Sequence, residues 1–529
     1  MNRRQKIIVS VVGIFIVLLA LVGITYGYFL TRIQGNTNTT SITVTTADLK
    51  LVYGDGNNII TGTNIEPGWT TNGENGNPEA KTFTIKNEGN ATVENFNIYL
   101  EDVINSLSRK EDLIYTITCE NTTEGATSTT CEDFVEVQNE VTSDNELIFP
   151  SVMSIIAKDT LDPATATTNA EEHTYTITVT YKEAGIDQSE DMNKEFSAKV
   201  NIYDAKTKFL ANEIKTNVRK TGTFDYNKTT YIHPSLQDGT NYTIPAQASS
   251  LENERIMSYT FDDYGTSYYF RGDVEDNYVN FAEMCWRIVR IEGDGSVKLI
   301  LEDRNEQCND KAGNDLNNNG TYFTGNWSDE NTWYNGYEEV LADFFKIFQT
   351  SELTSTDLLK LKLEEWCYDD KVTETSEPNC FDWDEDGVVD ECYTDEYYGA
   401  YTRILINEEP SLNCSGTKLT KYKDGTDRYV GTLTADEMSF AGAYRYGSTN
   451  YNYYLMNAYS IENLEWWSLS PHSNNDGAGV FNVFSLNSAG AFSTDGASGY
   501  SSLRPAVTLK SGSVITEGVG TQTNPYVIG

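Results

Sequence analysis

His173-Thr174-Tyr175-Thr176-Ile177-Thr178-Val179-Thr180-Tyr181 alternates a ring or aliphatic side chain with threonine at every second position. That is the period of a strand with one face on a core and the other in water, and β-branched and aromatic residues favour it. The same alternation recurs on both sides, in Ser41–Val52, Lys81–Lys86, Phe96–Leu100, Ile114–Cys119 and Glu195–Tyr203. Turn clusters such as Gly54-Asp55-Gly56-Asn57-Asn58 and Asn87-Glu88-Gly89-Asn90 separate these stretches. Short strands with turn signals between them and no long helix predict an Ig-like β-sandwich over residues 36–204.

Ahead of this region Arg3, Arg4 and Lys6 precede an uncharged run from Ile7 to Leu30. As a helix the run is long enough for the ~30 Å hydrocarbon core of a bilayer. A basic lead before an acidic remainder keeps the N-terminus inside and exports the rest of the chain. Residues 1–34 are therefore expected to be a signal peptide or a transmembrane anchor. The length of the run favours an anchor, whereas the small residues of Gly23-Ile24-Thr25-Tyr26-Gly27 suit cleavage, and both remain open. The closing Asn524-Pro525-Tyr526-Val527-Ile528-Gly529 has no wall-sorting pattern, so attachment is expected through the N-terminal helix.

The chain has 529 residues, too many for one core, and a formal net charge of −41. Such a surface repels phosphate backbones and excludes a nucleic-acid partner. Plentiful aromatic and β-branched residues argue for folded extracellular β-structure over disorder. The multi-domain expectation continues with a helix and linker over 205–254, since Ala205–Val218 spaces Phe209, Leu210, Ile214 and Val218 helically. An α+β domain is expected over 255–529. In it Tyr278–Ile291 and Ser296–Leu301 read as a hairpin about Gly293-Asp294-Gly295, Gly336–Phe348 and Ser355–Trp366 as helices, and Val480–Leu486, Ala491–Thr494 and Leu503–Leu509 as strands.

The first part resembles the camelysin/TasA family of Gram-positive surface and matrix proteins. Gly27-Tyr28-Phe29, Thr46-Ala47-Asp48-Leu49-Lys50-Leu51, Pro67-Gly68, and Lys81-Thr82-Phe83-Thr84-Ile85-Lys86-Asn87 followed by Gly89 carry that resemblance. It implies export through a dedicated signal peptidase and assembly into fibres. Some members were called metalloproteases, an activity that no HExxH or paired histidines support here. The second part resembles an exported domain of unknown function from gut Firmicutes. Tyr268–Gly272, Phe281–Arg290, Val430–Gly442, Trp466–Pro471, Leu503–Leu509 and Gly518–Ile528 are the matching stretches. Its pattern is also similar to C-type-lectin-like folds, including the formylglycine-generating-enzyme group. That group works through paired cysteines near the domain end, and none lies beyond Cys414 here.

The eight cysteines are Cys119, Cys131, Cys285, Cys308, Cys367, Cys380, Cys392 and Cys414. An even number in an exported chain predicts disulfides. Neighbours in sequence suggest Cys119–Cys131, Cys285–Cys308 and Cys380–Cys392, leaving Cys367–Cys414. The first pair is alone in its domain, while the other six cysteines admit fifteen pairings. With no CxxC pair and only His173, His233 and His472, a zinc site is not expected.

The sharpest chemical motif is Asp382-Trp383-Asp384-Glu385-Asp386-Gly387-Val388-Val389-Asp390. Carboxylates of Asp382, Asp384, Asp386 and Asp390 and the Val388 carbonyl fit a structural calcium loop, with glycine at the sharp bend. Tyr393 stands where an EF-hand has glutamate, so the motif is closer to a DxDxDGxxD repeat. Asp315-Leu316-Asn317-Asn318-Asn319-Gly320 has half of that pattern, and Arg271-Gly272-Asp273 reads as a coincidental tripeptide. Tyr444, Tyr446, Tyr451 and Tyr453 are candidates for stacking on a ligand, and Trp466 and Trp467 for the core. GxSxG, Walker and GxGxxG patterns do not occur.

Taken together, the expected protein binds a glycan or surface protein, or another copy of itself, at the outer face of a membrane. A matrix fibre built by strand donation is the first alternative, and a carboxylate-dependent hydrolase the second.

Overall fold

The computed structural model describes residues 33–34, 42–45, 50–55, 60–63, 65–73, 79–89, 92–191, 194–221, 255–304, 307–310, 323–326, 333–368, 371–372, 379–381, 391–393, 395–407, 409–422, 424–443, 453–457, 466–475, 480–487, 490–496 and 500–529. The apolar run Ile7–Leu30 and the linker over 222–254 lie outside these. No helix among the described residues is long and apolar enough to cross a membrane. The protein is β-rich and multi-domain, dividing into two compact units, one ending at Thr207 and the other running from Lys208 to Ile528.

The first unit consists of two antiparallel sheets on one core. Strands Ile42–Thr45, Lys50–Asp55, Lys81–Asn87, Glu172–Tyr181, Leu113–Asn121 and Leu147–Ile148 follow in that order in one sheet. In the other, Ile33–Gln34, Glu195–Asp204, Val93–Asn105, Ser154–Leu161 and Val135–Glu136 are neighbours in order, with Ile60–Thr63 also on Glu195–Asp204. Alternation converts directly into burial along Glu172–Tyr181. His173, Tyr175, Ile177, Val179 and Tyr181 are buried, and the intervening threonines are not. Tyr175, Ile177, Val179 and Tyr181 meet Phe96, Ile98, Leu100, Phe196, Val200 and Ile202 of the opposite sheet in one core, and fully burying a large apolar side chain contributes ~1.5–3 kcal/mol. Ser41–Val52, read as one alternating stretch, folds back on itself, with Ile42–Thr45 antiparallel to Lys50–Asp55.

The second unit opens with the helix Leu210–Thr221, whose Leu210, Ile214 and Val218 are buried, as their spacing requires. Its larger sheet is centred on Met284–Ile291, a strand buried at every position, as is its partner Val297–Asp303. These two form the expected hairpin. Tyr278–Ile291 is not one strand, however, because Ala282 and Glu283 at φ 52° and 61° turn Tyr278–Phe281 back on Met284–Ile291. Positive φ at both central residues gives the turn a twist that matches a hairpin. Arg255–Asp262 and Gly265–Gly272 extend this sheet on one side, and Ala506–Leu509, Ile515–Glu517 and Tyr526–Ile528 complete it.

A second sheet contains Trp466–Asn475, Val480–Leu486, Phe492–Gly496 and Tyr500–Leu503. Leu503–Leu509 therefore divides between two sheets around Arg504-Pro505, since proline offers no N–H to a ladder. The helix Trp333–Glu352 runs beyond the expected Gly336–Phe348 at both ends. The helix Ser355–Lys360 starts with a Thr354/Asp357 capping box but stops before Trp366, which lies in the strand Trp366–Tyr368.

Candidate functional site

Three disulfides are present among the described residues, Cys119–Cys131, Cys285–Cys308 and Cys367–Cys414. The remaining two cysteines occupy paired strands, Asn379–Phe381 and Glu391–Tyr393, with Cys380 directly opposite Cys392. Between these strands Asp382, Asp384, Asp386, Val388 and Asp390 lie outside the described residues, as do Tyr444, Tyr446 and Tyr451 and the second asparagine-rich run. Tyr453 is a core residue instead of an exposed ring. It is fully buried, and its hydroxyl donates to the Gly490 carbonyl at 3.0 Å. Trp466 and Trp467 are likewise buried in the core. Arg271 is buried and donates to the Ser439 carbonyl, so the tripeptide's arginine is part of the interior.

A polar cavity of about 80 Å³ opens in the second unit. Its floor is a buried ion network. Arg290, near the end of the central strand, reaches Asp262 at 2.7 Å, Glu292 at 2.9 Å and Glu437 at 3.0 Å, one carboxylate per guanidinium nitrogen. Lys298 on the neighbouring strand holds Glu364 at 2.7 Å and Glu437 at 3.2 Å. Lys362 extends the network from Glu292 at 2.9 Å to Asp294 at 2.7 Å.

Local structure fixes each member. Glu437 sits at N3 of the helix Ala435–Ala441 and completes a capping box with Thr434, so the cap that starts the helix also aims its carboxylate. Thr508 donates to Glu364 at 2.9 Å. Gly293 donates its N–H to Asp262 at 3.0 Å. A Cβ there would meet the Gly265 nitrogen at 2.3 Å, which makes glycine obligatory for this approach.

Electrostatics divide the carboxylates. Burial alone would raise Glu292, but Arg290, Lys362 and Lys298 outweigh it and hold it far below the ordinary range. Glu437 is lowered in the same way by Lys298 and Arg290. Burial wins at Asp262 and Glu364, which are raised despite their cations. Arg290, Lys298 and Lys362 are all held more firmly protonated than usual, because their carboxylates overcome burial.

The mouth of the cavity is half-exposed and built around Tyr264. Its ring lies under Lys362 at 3.9 Å and Lys418 at 4.6 Å, and its hydroxyl donates to Glu365. Lys418 bridges Asp263 at 3.0 Å and Glu365 at 2.9 Å. The Cys414 N–H donates to Asp263, so the Cys367–Cys414 disulfide anchors this rim. Deeper in, Arg403 clamps Asp436 with two nitrogens at 3.0 and 2.7 Å. The lining carries seven carboxylates (Asp262, Asp263, Glu292, Glu364, Glu365, Asp436 and Glu437) against five cations (Arg290, Lys298, Lys362, Arg403 and Lys418). Such a rim offers acceptors, ammonium donors and a phenol within one small opening, the groups that bind hydroxyl-rich ligands.

Sequence reasoning missed this cluster, since Arg290, Lys298 and Glu364 are residue types that ordinarily face solvent. The available signal was their place in or beside strands too continuously apolar to have a wet face. No family model, curated protein or solved structure matches the chain.

Proposed function

We propose that the chain is an exported binding protein displayed at the outer face of a membrane, or secreted, with a glycan as its ligand. In this reading the apolar run Ile7–Leu30 directs export, an Ig-like sandwich comes next, and a C-type-lectin-like domain carries the ligand at the Tyr264 rim. The observation that supports export best is the set of three disulfides, with no free cysteine among the described residues. The rim supports a glycan because Asp263, Glu365 and Lys418 present paired acceptors and a donor beside an aromatic ring. Calcium at Asp382, Asp384, Asp386, Val388 and Asp390 would brace the same unit, between strands that bring Cys380 and Cys392 into register.

A glycan array probed with the full chain in detergent tests the reading. Hits that fall at least tenfold in Glu365→Gln and Asp263→Asn are the expected result. An empty array overturns the glycan, and hits unchanged in both variants overturn the rim.

A fibre subunit is the second reading. Among the described residues, strand Glu195–Asp204 is covered on its outer side by the short segments Ile60–Thr63 and Ile33–Gln34. A strand from another copy could replace such a cover. Concentration-dependent filaments of the purified chain would favour it.

A further inference from the structure

In the first unit, Asp159 on strand Ser154–Leu161 extends across the core to His173 and Tyr175 on the opposite sheet. Asp159 Oδ2 lies 2.7 Å from His173 Nδ1 and accepts from the Tyr175 hydroxyl at 2.6 Å. Asp159, His173 and Tyr175 are almost wholly buried. Cys119 stands beside Tyr175 on the adjacent strand, with its sulfur 3.7 Å from Asp159 Oδ2, and Cys131 is its disulfide partner. One donor atom from each of Cys119, Cys131, Asp159 and His173 lies within 4.8 Å of the other three.

Two sulfurs, an imidazole nitrogen and a carboxylate oxygen are the donor types of a tetrahedral zinc site. The surroundings are also those of such a site. Glu171 Oε1 lies 3.1 Å from His173 Nε2 and accepts its proton, which leaves Nδ1 as the metal-facing atom. Tyr175 and the Thr160 N–H, at 2.8 Å, fix the two oxygens of Asp159. In the oxidised protein the sulfurs are bonded to each other and no thiolate is available.

We propose that the Cys119–Cys131 disulfide is the closed form of a redox-gated metal site, which binds a zinc-class divalent cation through Cys119, Cys131, Asp159 and His173 once the disulfide is reduced.

A dithiol supplies the electrons. Its two S–H groups become a disulfide, the Cys119–Cys131 bond breaks, and two thiols form. Metal binding then releases the proton of each thiol, together with any proton on Nδ1 of His173. Access is through the loop over 124–130, which is exposed throughout, and through Cys119, which is half-exposed.

The test uses the full chain in detergent, reduced with a phosphine. The phosphine is oxidised to its oxide with oxygen from water, and the two thiols take up the hydrogens. Cobalt(II) is the probe. The expected result is a thiolate-to-cobalt absorption band with one ion per chain in the reduced protein and none in the oxidised protein. Cys119→Ser with Cys131→Ser abolishes the band, whereas Cys367→Ser with Cys414→Ser retains it. Glu171→Gln, at a partly exposed position, weakens affinity roughly tenfold. Zinc protects Cys119 and Cys131 from alkylation, as read by mass spectrometry, and this holds the proposal testable if a core variant fails to fold. An equal band in the oxidised chain overturns the proposal, as does a band that survives loss of Cys119 and Cys131. So does a reduced, folded chain that binds no cobalt.

Discussion

Replacing Arg290 with methionine keeps most of the apolar stem and removes the cation from three carboxylates at once. Asp262, Glu292 and Glu437 are each within 3.0 Å of the guanidinium, and all are buried. Removing one partner of a buried pair leaves an uncompensated charge and costs ~3–5 kcal/mol. Lys298 and Lys362 still neutralise Glu437 and Glu292, so the loss should lie within that range and not at three times it. Arg290→Lys retains the charge but cannot reach three carboxylates from one nitrogen, and should cost about half as much. Urea unfolding followed by tryptophan fluorescence reads this cleanly, because seven of the eight tryptophans lie in the second unit and only Trp69 in the first. A loss below ~1 kcal/mol for Arg290→Met would mean that the network is solvated like a surface pair, and the reasoning would fail.

Opposite pH responses are expected of the two units. Burial lowers His472 to about 4, so the stability linked to its neutral form is complete above its ordinary ~6.5 and is lost as pH falls towards 4. Burial also acts against charge at His173, but Asp159 and Glu171 outweigh it and raise its pKa. Its contribution is complete below ~6.5 and is lost as pH rises through the raised value. Melting curves across pH should therefore show an acid limb flattened by His472→Gln and a neutral-to-alkaline limb flattened by His173→Gln. Calcium should raise the melting temperature of the second unit, and Asp384→Ala should abolish the rise; identical curves with and without chelator would discard the calcium loop. Opening Cys367–Cys414, which spans 47 residues, by serine replacement should destabilise the second unit by ~4 kcal/mol and loosen the rim, measurable by urea unfolding.

Strands with one wet face were legible because their alternation is a direct consequence of geometry, as Glu172–Tyr181 shows residue by residue. Cys119–Cys131 was legible because it is alone in its unit and closes a short loop. The other six cysteines left fifteen pairings open, and the observed Cys285–Cys308 and Cys367–Cys414 are among those that sequence proximity suggested. Breaks within apolar stretches were not. The turn at Ala282-Glu283 uses non-glycine residues at positive φ, and nothing in Tyr278–Ile291 announces it. The ion network was hidden because its members lie far apart, Asp262, Arg290, Glu364 and Glu437 being joined only by tertiary packing. His173 shows the same limit. The lack of a CxxC pair and the three scattered histidines argued against zinc without weighing Asp159, which the two sheets bring beside His173, Cys119 and Cys131. Tyr453 was read for its chemistry in a tyrosine-rich stretch, while its burial depends on contacts that the stretch does not encode.

Export into an oxidising medium is the central claim. Differential alkylation and mass spectrometry of the protein taken from its native cells, with the fraction recorded, tests that most directly. Peptides linked through Cys119–Cys131, Cys285–Cys308 and Cys367–Cys414 in the envelope or medium are the predicted result. Cytosolic protein with every one of these thiols free would contradict it.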